Sequence, residues 1–195
     1  VWLSYTDKNI LEDINLDIYQ GDFLLITGPN GGGKTSLLRT ILRLQSPTKG
    51  RISFFRQGEP VSSLDMGYLP QKNSIDSRFP ITVEEVVASG LMGNTQKGNT
   101  KFDSKKEIDE MLDLMGITAL RNKPIGVLSG GQLQRSLFGR ALISKPEMLI
   151  LDEPASYIDR QFGNRMFEIL RDLSSNGTTI MMVSHEIEPF ITLSN

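Results

Sequence analysis

Apolar residues along this chain fall into short continuous runs and into stripes with helical spacing. Runs of four or five mostly apolar residues predict strands buried on both faces of a sheet, and they cover residues 23–26, 66–69, 148–151 and 179–183. Two helical stripes follow such runs: Leu37, Leu38, Ile41 and Leu42, and then Phe162, Met166, Ile169, Leu170 and Leu173. Strands that alternate with helices in this way predict an α/β fold with a mostly parallel sheet.

Two further segments predict a smaller antiparallel β element beside the main sheet. Ile14, Leu16 and Ile18 are separated by polar residues, which is the pattern of a strand with one buried face. A second candidate strand covers residues 50–55. We expect these segments to flank the parallel sheet.

Two capped helices are predicted in the middle of the chain. Thr82 is a candidate N-cap for a helix that begins at Val83, and Ser104 with Glu107 has the capping-box spacing of a second helix. The polar, glycine-bearing residues 93–100 predict a loop between them. The methionines at 111, 115 and 166 are better interpreted as core filler than as metal ligands.

The helical block divides the chain. Residues 72–126 form a predicted helical subdomain, inserted into a core that consists of residues 1–71 and 127–195. A chain of 195 residues with 38% hydrophobic composition is long enough for one such domain with a small insert.

A glycine-rich segment lies between the first predicted buried strand and the helix after it. It consists of Gly28, Pro29, Asn30, Gly31, Gly32, Gly33, Lys34 and Thr35, and Ser36 extends it into the helix. Glycines let backbone N–H groups curl around phosphate oxygens, and the helix start adds the positive end of its dipole. Lys34 would bind the β and γ phosphates of ATP, and the Thr35 hydroxyl would bind Mg²⁺. The order of strand, loop and helix favours this phosphate loop over a glycine-rich turn with a solvated lysine.

Two adjacent carboxylates follow the third predicted strand. Asp152 and Glu153 end the apolar run, and Pro154 prevents the strand from continuing. Because ligands of a parallel sheet lie at the carboxyl ends of its strands, Asp152 is placed to hold Mg²⁺ and Glu153 to orient or deprotonate the attacking water. Asp, Glu and Pro after a strand are also typical of an ordinary turn. Without the phosphate loop, the turn would be the better interpretation.

Residues 128–132, Leu-Ser-Gly-Gly-Gln, precede a helical pattern expected from about Leu133 to Ile143. Taken alone, Ser129 is a helix N-cap that needs no ligand. Taken with the phosphate loop and the acidic strand, this segment makes the chain resemble the nucleotide-binding subunits of ABC transporters over essentially its whole length.

The resemblance implies a second phosphate-binding element, the signature motif, which consists of Ser129, Gly130, Gly131 and Gln132. In the family this element completes the nucleotide site of another subunit. The resemblance therefore implies a head-to-tail dimer, most simply a homodimer, with two ATP molecules between the subunits. Two residues depart from the family pattern: Tyr157 is bulkier than the usual residue, and Leu133 stands where a polar residue is frequent.

Two polar residues match the family positions that contact the reacting phosphate. Gln71 resembles the glutamine whose amide touches Mg²⁺ or water, and His185, the only histidine, resembles the one that contacts the γ-phosphate. A lone glutamine after a proline usually carries no function, and a lone histidine at a strand end is more often a surface residue. The order of the motifs favours the functional interpretation for both.

Two more residues match family positions at the edges of the nucleotide. Tyr5 resembles the aromatic residue that stacks on adenine, although Trp2 and Tyr19 compete with it. Asp159 resembles an aspartate that lies along the dimer interface. It is also a candidate N-cap for the next helix, and both roles can hold together.

The segment after Gln71 is similar to a narrower group, the importers of zinc and manganese. The similarity rests on Ile75 with Asp76 and on residues 79–83, and siderophore and cobalamin importers share parts of it. Because this segment would face the membrane subunit, it indicates the lineage of that partner more than the cargo.

Composition limits the partners. Lys and Arg number 21 against 23 Asp and Glu, for a net charge of −2, so we expect no nucleic acid partner. There is no cysteine, which excludes thiolate sites and disulfides. No apolar run approaches the roughly 20 residues that span a bilayer. Any membrane connection must therefore come through a partner. The resemblance implies a place on the cytoplasmic face of the cell membrane through an integral permease, and indirectly a solute-binding protein.

Three other classes stay open. A non-transport ABC ATPase would use the same site, but the chain has no long heptad insert and no second cassette. A drug or lipid exporter is disfavoured because its cassettes are often fused to membrane spans. A non-catalytic nucleotide-dependent module is disfavoured by Glu153 and His185.

Overall fold

The computed structural model describes residues 1–5, 8–71, 79–92 and 101–185, with the backbone alone for 101–103. The expected loop at 93–100 and the pair Ile75 and Asp76 lie outside these ranges. No helix within them is long and apolar enough to cross a membrane.

Four parallel strands form the main sheet, in the order β3-β8-β7-β6. Their bounds are Phe23–Ile26 for β3, Met66–Leu69 for β6, Met148–Asp152 for β7 and Thr179–Val183 for β8. Every residue of β7 and β8 is buried. These are the four strands predicted from the apolar runs, because a continuous apolar run is stable only where both faces are covered.

Two separate antiparallel pairs accompany the sheet. One joins β1, Leu3–Tyr5, to β2, Lys8–Leu11, and the other joins β4, Phe54–Arg56, to β5, Glu59–Val61. The predicted second strand at 50–55 is therefore confirmed only at its end.

The predicted strand through Ile14, Leu16 and Ile18 is wrong. Residues 12–19 lie outside all strands. Asp13 has a left-handed φ of 47°, and Asn15 Nδ2 donates to its backbone oxygen at 3.0 Å. This local turn ends the β2 strand. Ile14 exchanges two backbone hydrogen bonds with Val1, at 3.0 and 2.6 Å, but no strand forms along Leu16 and Ile18.

Five α-helices complete the described part of the chain: α1, Lys34–Ile41; α2, Val83–Ser89; α3, Lys101–Leu114; α4, Gly130–Leu142; and α5, Arg160–Ser175. Thr82 caps α2 as predicted, in a capping box with Glu85. Ser104 does not cap α3, because three residues before it are already helical. Helix α4 begins three residues earlier than expected, directly after Ser129.

Helices cover both faces of the sheet. Alternate residues of β7 point to opposite sides: Leu149 and Leu151 belong to a core cluster with residues of α2 to α5, whereas Met148 and Ile150 pack with residues of α1. Met115 and Met166 are fully buried and Met111 packs beside them, which confirms them as core residues.

Helix α4 lies directly against the backbone of β6. A Cβ on Gly67 would overlap the carbonyl oxygen of Ala141, in the last turn of that helix. The absence of a side chain at Gly67 therefore sets how closely the helix approaches the sheet.

We expect Gly67→Ala to lower the free energy of unfolding by about 1–3 kcal/mol, because the obstacle is backbone that must shift. Gly163→Ala is the matched control: this glycine lies inside α5, and nothing is within 4 Å of an added Cβ. It should raise the stability by about 0.5–1 kcal/mol, since it removes the entropic cost of a helical glycine. Urea unfolding of both variants measures the two signs, and a neutral Gly67→Ala would contradict the close packing.

Candidate functional site

The phosphate loop connects β3 to α1. Its last glycine, Gly33, caps the helix in a left-handed conformation with φ 84°. A Cβ there would lie 2.7 Å from the backbone oxygen of Ile10 on β2. Glycine is required for both reasons, and the contact ties the loop to the β1–β2 pair.

Lys34 folds back across the loop. Its Nζ donates to the carbonyl oxygens of Gly28 at 2.8 Å and Pro29 at 2.9 Å. The ammonium group therefore lies over the loop that the sequence predicts to hold phosphate. Ser36 sits in the first turn of α1, where its carbonyl accepts from Thr40 Oγ1 at 2.7 Å.

A side-chain hydrogen bond joins α1 to the end of β7. Thr35 Oγ1 donates to Asp152 Oδ2 at 2.8 Å, and Asp152 is only 1% exposed. Burial raises the pKa of the Asp152 carboxyl above its usual 3.8, the Thr35 hydroxyl lowers it, and the negative charge of Glu153 raises it. Two of the three residues predicted to hold Mg²⁺, Thr35 and Asp152, thus lie in contact, as hard oxygen donors.

Glu153 lies between two other predicted site residues. Gln71 Nε2 donates to Glu153 Oε2 at 3.0 Å, and His185 Nε2 lies 3.2 Å from Glu153 Oε1. Gln71, Glu153 and His185 follow β6, β7 and β8, which are neighbouring parallel strands, so their ends meet at one edge of the sheet.

The backbone aims Glu153 at this edge. Its φ is 52°, a left-handed conformation uncommon for a residue with a side chain. The Glu153 N–H donates to the carbonyl of Val183 at 2.9 Å, at the end of β8. The strained residue is thus held by the neighbouring strand.

The signature motif lies at the start of α4. Ser129 Oγ accepts from the Gln132 N–H at 3.3 Å, while Gln132 Oε1 accepts from the Ser129 N–H at 3.0 Å. The serine cap predicted from the sequence is therefore present, as a full capping box.

These residues border a cavity of about 540 Å³. Among the described residues its lining consists of Gly116, Ile117, Leu120, Ser129, Gly130, Gly131, Gln132, Arg135, Tyr157 and Asp159. No phosphate-loop residue lines it. One chain therefore presents the phosphate loop and the signature motif as two separate surfaces.

Asp159 caps α5, as predicted, by accepting from the Phe162 N–H at 2.9 Å. It also pairs with Arg135, whose guanidinium lies 4.5 Å from the centre of the Phe162 ring. The Phe162 N–H and then Arg135 hold the pKa of Asp159 below its usual value.

Gly131, Gln134 and Arg135 are spaced i, i+3 and i+4, which places them on one face of α4. The sequence analysis did not predict a role for Gln134 or Arg135. Their helical spacing from Gly131 of the signature motif could have indicated that they share its face of the helix.

Tyr5 ends β1 and is 50% exposed, while the competing Tyr19 is 70% exposed. The proposed stacking of Tyr5 on adenine stays a prediction. Tyr157, the bulky residue next to the signature motif, is 63% exposed and has φ 66°.

A strand, glycine loop and helix joined to a buried acidic strand define a P-loop ATPase. The ABC transporter profile matches residues 11–156. The chain belongs to the ABC transporter family, as an ATP-binding subunit that hydrolyses ATP.

Curated relatives cover nearly all of the chain. It is 42% identical to a probable metal transport system ATP-binding protein of Chlamydia pneumoniae, over 92% of this chain and 74% of that protein. It is 37% identical to the zinc uptake system ATP-binding protein ZurA of Listeria monocytogenes, over 98% and 76%. It is 35% identical to the zinc import ATP-binding protein ZnuC of Haemophilus influenzae, over 94% of this chain but only 63% of that protein.

Solved structures share the fold. The bacterial ABC transporter cassette MJ0796, determined as a dimer, has a TM-score of 0.83 and 26% identity, over 97% of this chain and 87% of that one. A putative metal-chelate type ABC transporter in an inward-facing conformation has a TM-score of 0.76 and 28% identity, over 99% and 73%.

The raised pKa of Asp152 predicts a dependence of stability on pH. A carboxyl whose pKa is higher in the folded state stabilises the fold below its unfolded pKa, and this contribution is lost as the pH rises through the folded pKa. Asp152→Asn should therefore gain stability relative to the parent as the pH moves from acidic to neutral.

Urea unfolding of the nucleotide-free protein at several pH values measures the difference. The control is Asp113→Asn, which removes a carboxylate from an exposed position on α3. An Asp152→Asn variant that loses stability against the parent on going to neutral pH would contradict the assigned cost of burial.

Proposed function

We propose that this chain powers the import of a metal ion, with zinc the first candidate, through a separate membrane permease. The observation that carries the ATPase part is the convergence of Gln71, Asp152, Glu153 and His185 at one sheet edge, with Thr35 bonded to Asp152. The metal cargo is supported by the names of the relatives from Chlamydia, Haemophilus and Listeria.

ATP binds at the phosphate loop in this proposal. Lys34 carries the charge for the β and γ phosphates, and backbone N–H groups of the loop from Asn30 to Ser36, with that of Gly28, surround them. Tyr5 stacks on the base. The Thr35 hydroxyl, the Asp152 carboxylate and the Gln71 amide would hold Mg²⁺, which neutralises phosphate charge when bound. The contact of Thr35 with a buried carboxylate supports this assignment, because a cation relieves the cost of that burial.

Glu153 orients the attacking water and accepts its proton. Gln71 and His185 each contact one of its two oxygens, so together they fix the direction of the carboxylate. His185 then supports the γ-phosphate during cleavage.

Two copies of the chain complete two sites. The signature cavity lacks every phosphate-loop residue, so a single chain cannot surround the triphosphate from both sides. Closure of a head-to-tail homodimer would place Ser129, Gly130, Gly131 and Gln132 on the ATP of the partner. The dimeric form of the MJ0796 cassette supports this arrangement.

The permease contacts the helical subdomain, residues 72–126, and keeps the chain at the cytoplasmic face of the membrane. A solute-binding protein delivers the cargo to the permease. The likeness to a metal-chelate type transporter favours chelated metal as the second candidate cargo.

Glu153→Gln should reduce kcat for ATP about 10²- to 10⁴-fold, since it removes the general base but keeps the shape of the side chain. ATP-dependent dimerisation should persist, because the phosphate ligands remain. Phosphate release and analytical ultracentrifugation measure the two properties. Glu110→Gln, the same change at an exposed position on α3, is the control. Normal turnover in Glu153→Gln would remove this residue from its role.

Loss of the gene should impair growth when zinc is chelated, and added zinc should restore it. A plasmid copy should rescue growth, whereas a copy with Lys34→Ala should fail, because it cannot hold the triphosphate. Lys105→Ala, an exposed lysine on α3, is the matched control. If another cargo, such as a metal chelate, restores growth of the deletion strain and zinc does not, zinc is the wrong cargo. The ATPase assignment would stay intact.

A further inference from the structure

Gln134 is a buried polar residue that the ATP site does not use directly. It lies on α4 with 1% exposure, and its Nε2 donates to the backbone oxygen of Pro154 at 3.1 Å. Because a backbone carbonyl only accepts, this contact fixes the direction of the amide. Gln134 Oε1 then accepts no hydrogen bond from any residue that the structure describes.

This amide holds the turn that aims Glu153. Pro154 directly follows Glu153, and the Ser156 N–H donates back to the Glu153 carbonyl at 3.2 Å. Glu153 itself is held in its left-handed conformation at the start of this turn. The Gln134 contact therefore fixes the peptide that follows Pro154, one residue beyond the strained Glu153.

The face of α4 that carries Gln134 also holds the rest of the loop. A Cβ on Gly131 would lie 2.9 Å from the Tyr157 carbonyl oxygen, and Arg135 pairs with Asp159. Residues 154–159 are thus bonded to one face of the helix at two points and approach it closely at a third. The signature motif forms the first turn of that same helix.

We infer that Gln134 is a positioning residue that couples the signature motif to Glu153 of its own chain. This inference rests on the proposed function, in which the signature motif contacts the nucleotide of the partner subunit. When that contact forms, α4 shifts or stiffens, and Gln134 passes the change to the turn behind Glu153. Each chain then reports occupancy of the partner's site to its own catalytic carboxylate.

Packing alone gives no reason for an amide here. An unbranched apolar side chain of the same length would fill the space without burying an unpaired acceptor. Such a replacement removes the hydrogen bond that Gln134 Nε2 donates to the Pro154 carbonyl.

Gln134→Met tests this property in the full-length protein, purified with its permease. We expect kcat for ATP to fall about 3- to 10-fold, the effect of one lost hydrogen bond on the active geometry, with KM within about twofold of the parent. The melting temperature should change by less than about 4 °C, since one unpaired group replaces another. Ser89→Ala is the control, because it removes a half-buried hydroxyl that donates to the Val86 carbonyl within α2, away from the signature motif.

Mixed dimers decide whether the effect runs within one chain. Differently tagged copies pair a Gln134→Met chain with a Glu153→Gln chain, so that the one working site uses Glu153 of the Gln134→Met chain and the intact signature motif of the other. Single-turnover cleavage of ATP should be as slow as in the Gln134→Met homodimer. In the reciprocal dimer, both substitutions lie in one chain and the other is unaltered. Cleavage there should match a dimer of unaltered and Glu153→Gln chains.

The opposite pattern, with a slow reciprocal dimer, would show that Gln134 acts through the partner's nucleotide and would overturn the inference. Parent-like kcat in the Gln134→Met homodimer would overturn it as well, and so would a parallel loss of kcat and melting temperature, which indicates a structural role alone. Failure of the unaltered protein to hydrolyse ATP would instead count against the proposed function.

Discussion

The end of strand β7 is the constraint on which the rest of the site depends. Parallel pairing places Leu151 beside Leu69 of β6 and beside Met182 of β8, and Asp152 beside Val183. The chain leaves all three strands at the same edge, so Gln71, Glu153 and His185 meet without any long loop to bring them together. A register slip of one residue would exchange the two buried faces of a strand, so the packing of both hydrophobic cores holds this alignment.

Electrostatics explains why such an edge favours a cation, either alone or bound to phosphate. Asp152 is buried beside a second carboxylate, and it accepts a hydrogen bond from the neutral Thr35 hydroxyl. Two adjacent carboxylates under these conditions are stabilised by a nearby positive charge. A cation that binds the folded protein but not the unfolded chain also stabilises the fold. The proposed role of Asp152 in holding a cation and the stability of the free protein therefore oppose each other.

Sequence reasoning found the main sheet and the residues at its edge because their signals are local. An uninterrupted apolar run of only four or five residues fits a strand covered on both faces, and a glycine loop with its lysine, set between a strand and a helix, is typical of phosphate binding. Alternation is weaker: the Ile14, Leu16 and Ile18 pattern also fits a segment that forms no strand, and the left-handed Asp13 is invisible in it. The pair Ser104 and Glu107 shows the same limit, since a capping-box spacing also occurs inside a helix.

Helix α4 makes tertiary contacts at both of its ends that no local sequence pattern predicts. Its last turn rests on Gly67 of β6, the strand that leads to Gln71, while the face near its first turn holds the loop that follows Glu153. Packed interiors transmit displacement because they contain little free volume. A shift of the signature motif along or across the helix axis would therefore press on the supports of both Gln71 and Glu153. These two side chains share a hydrogen bond, so the direction of the Glu153 carboxylate depends on where α4 lies.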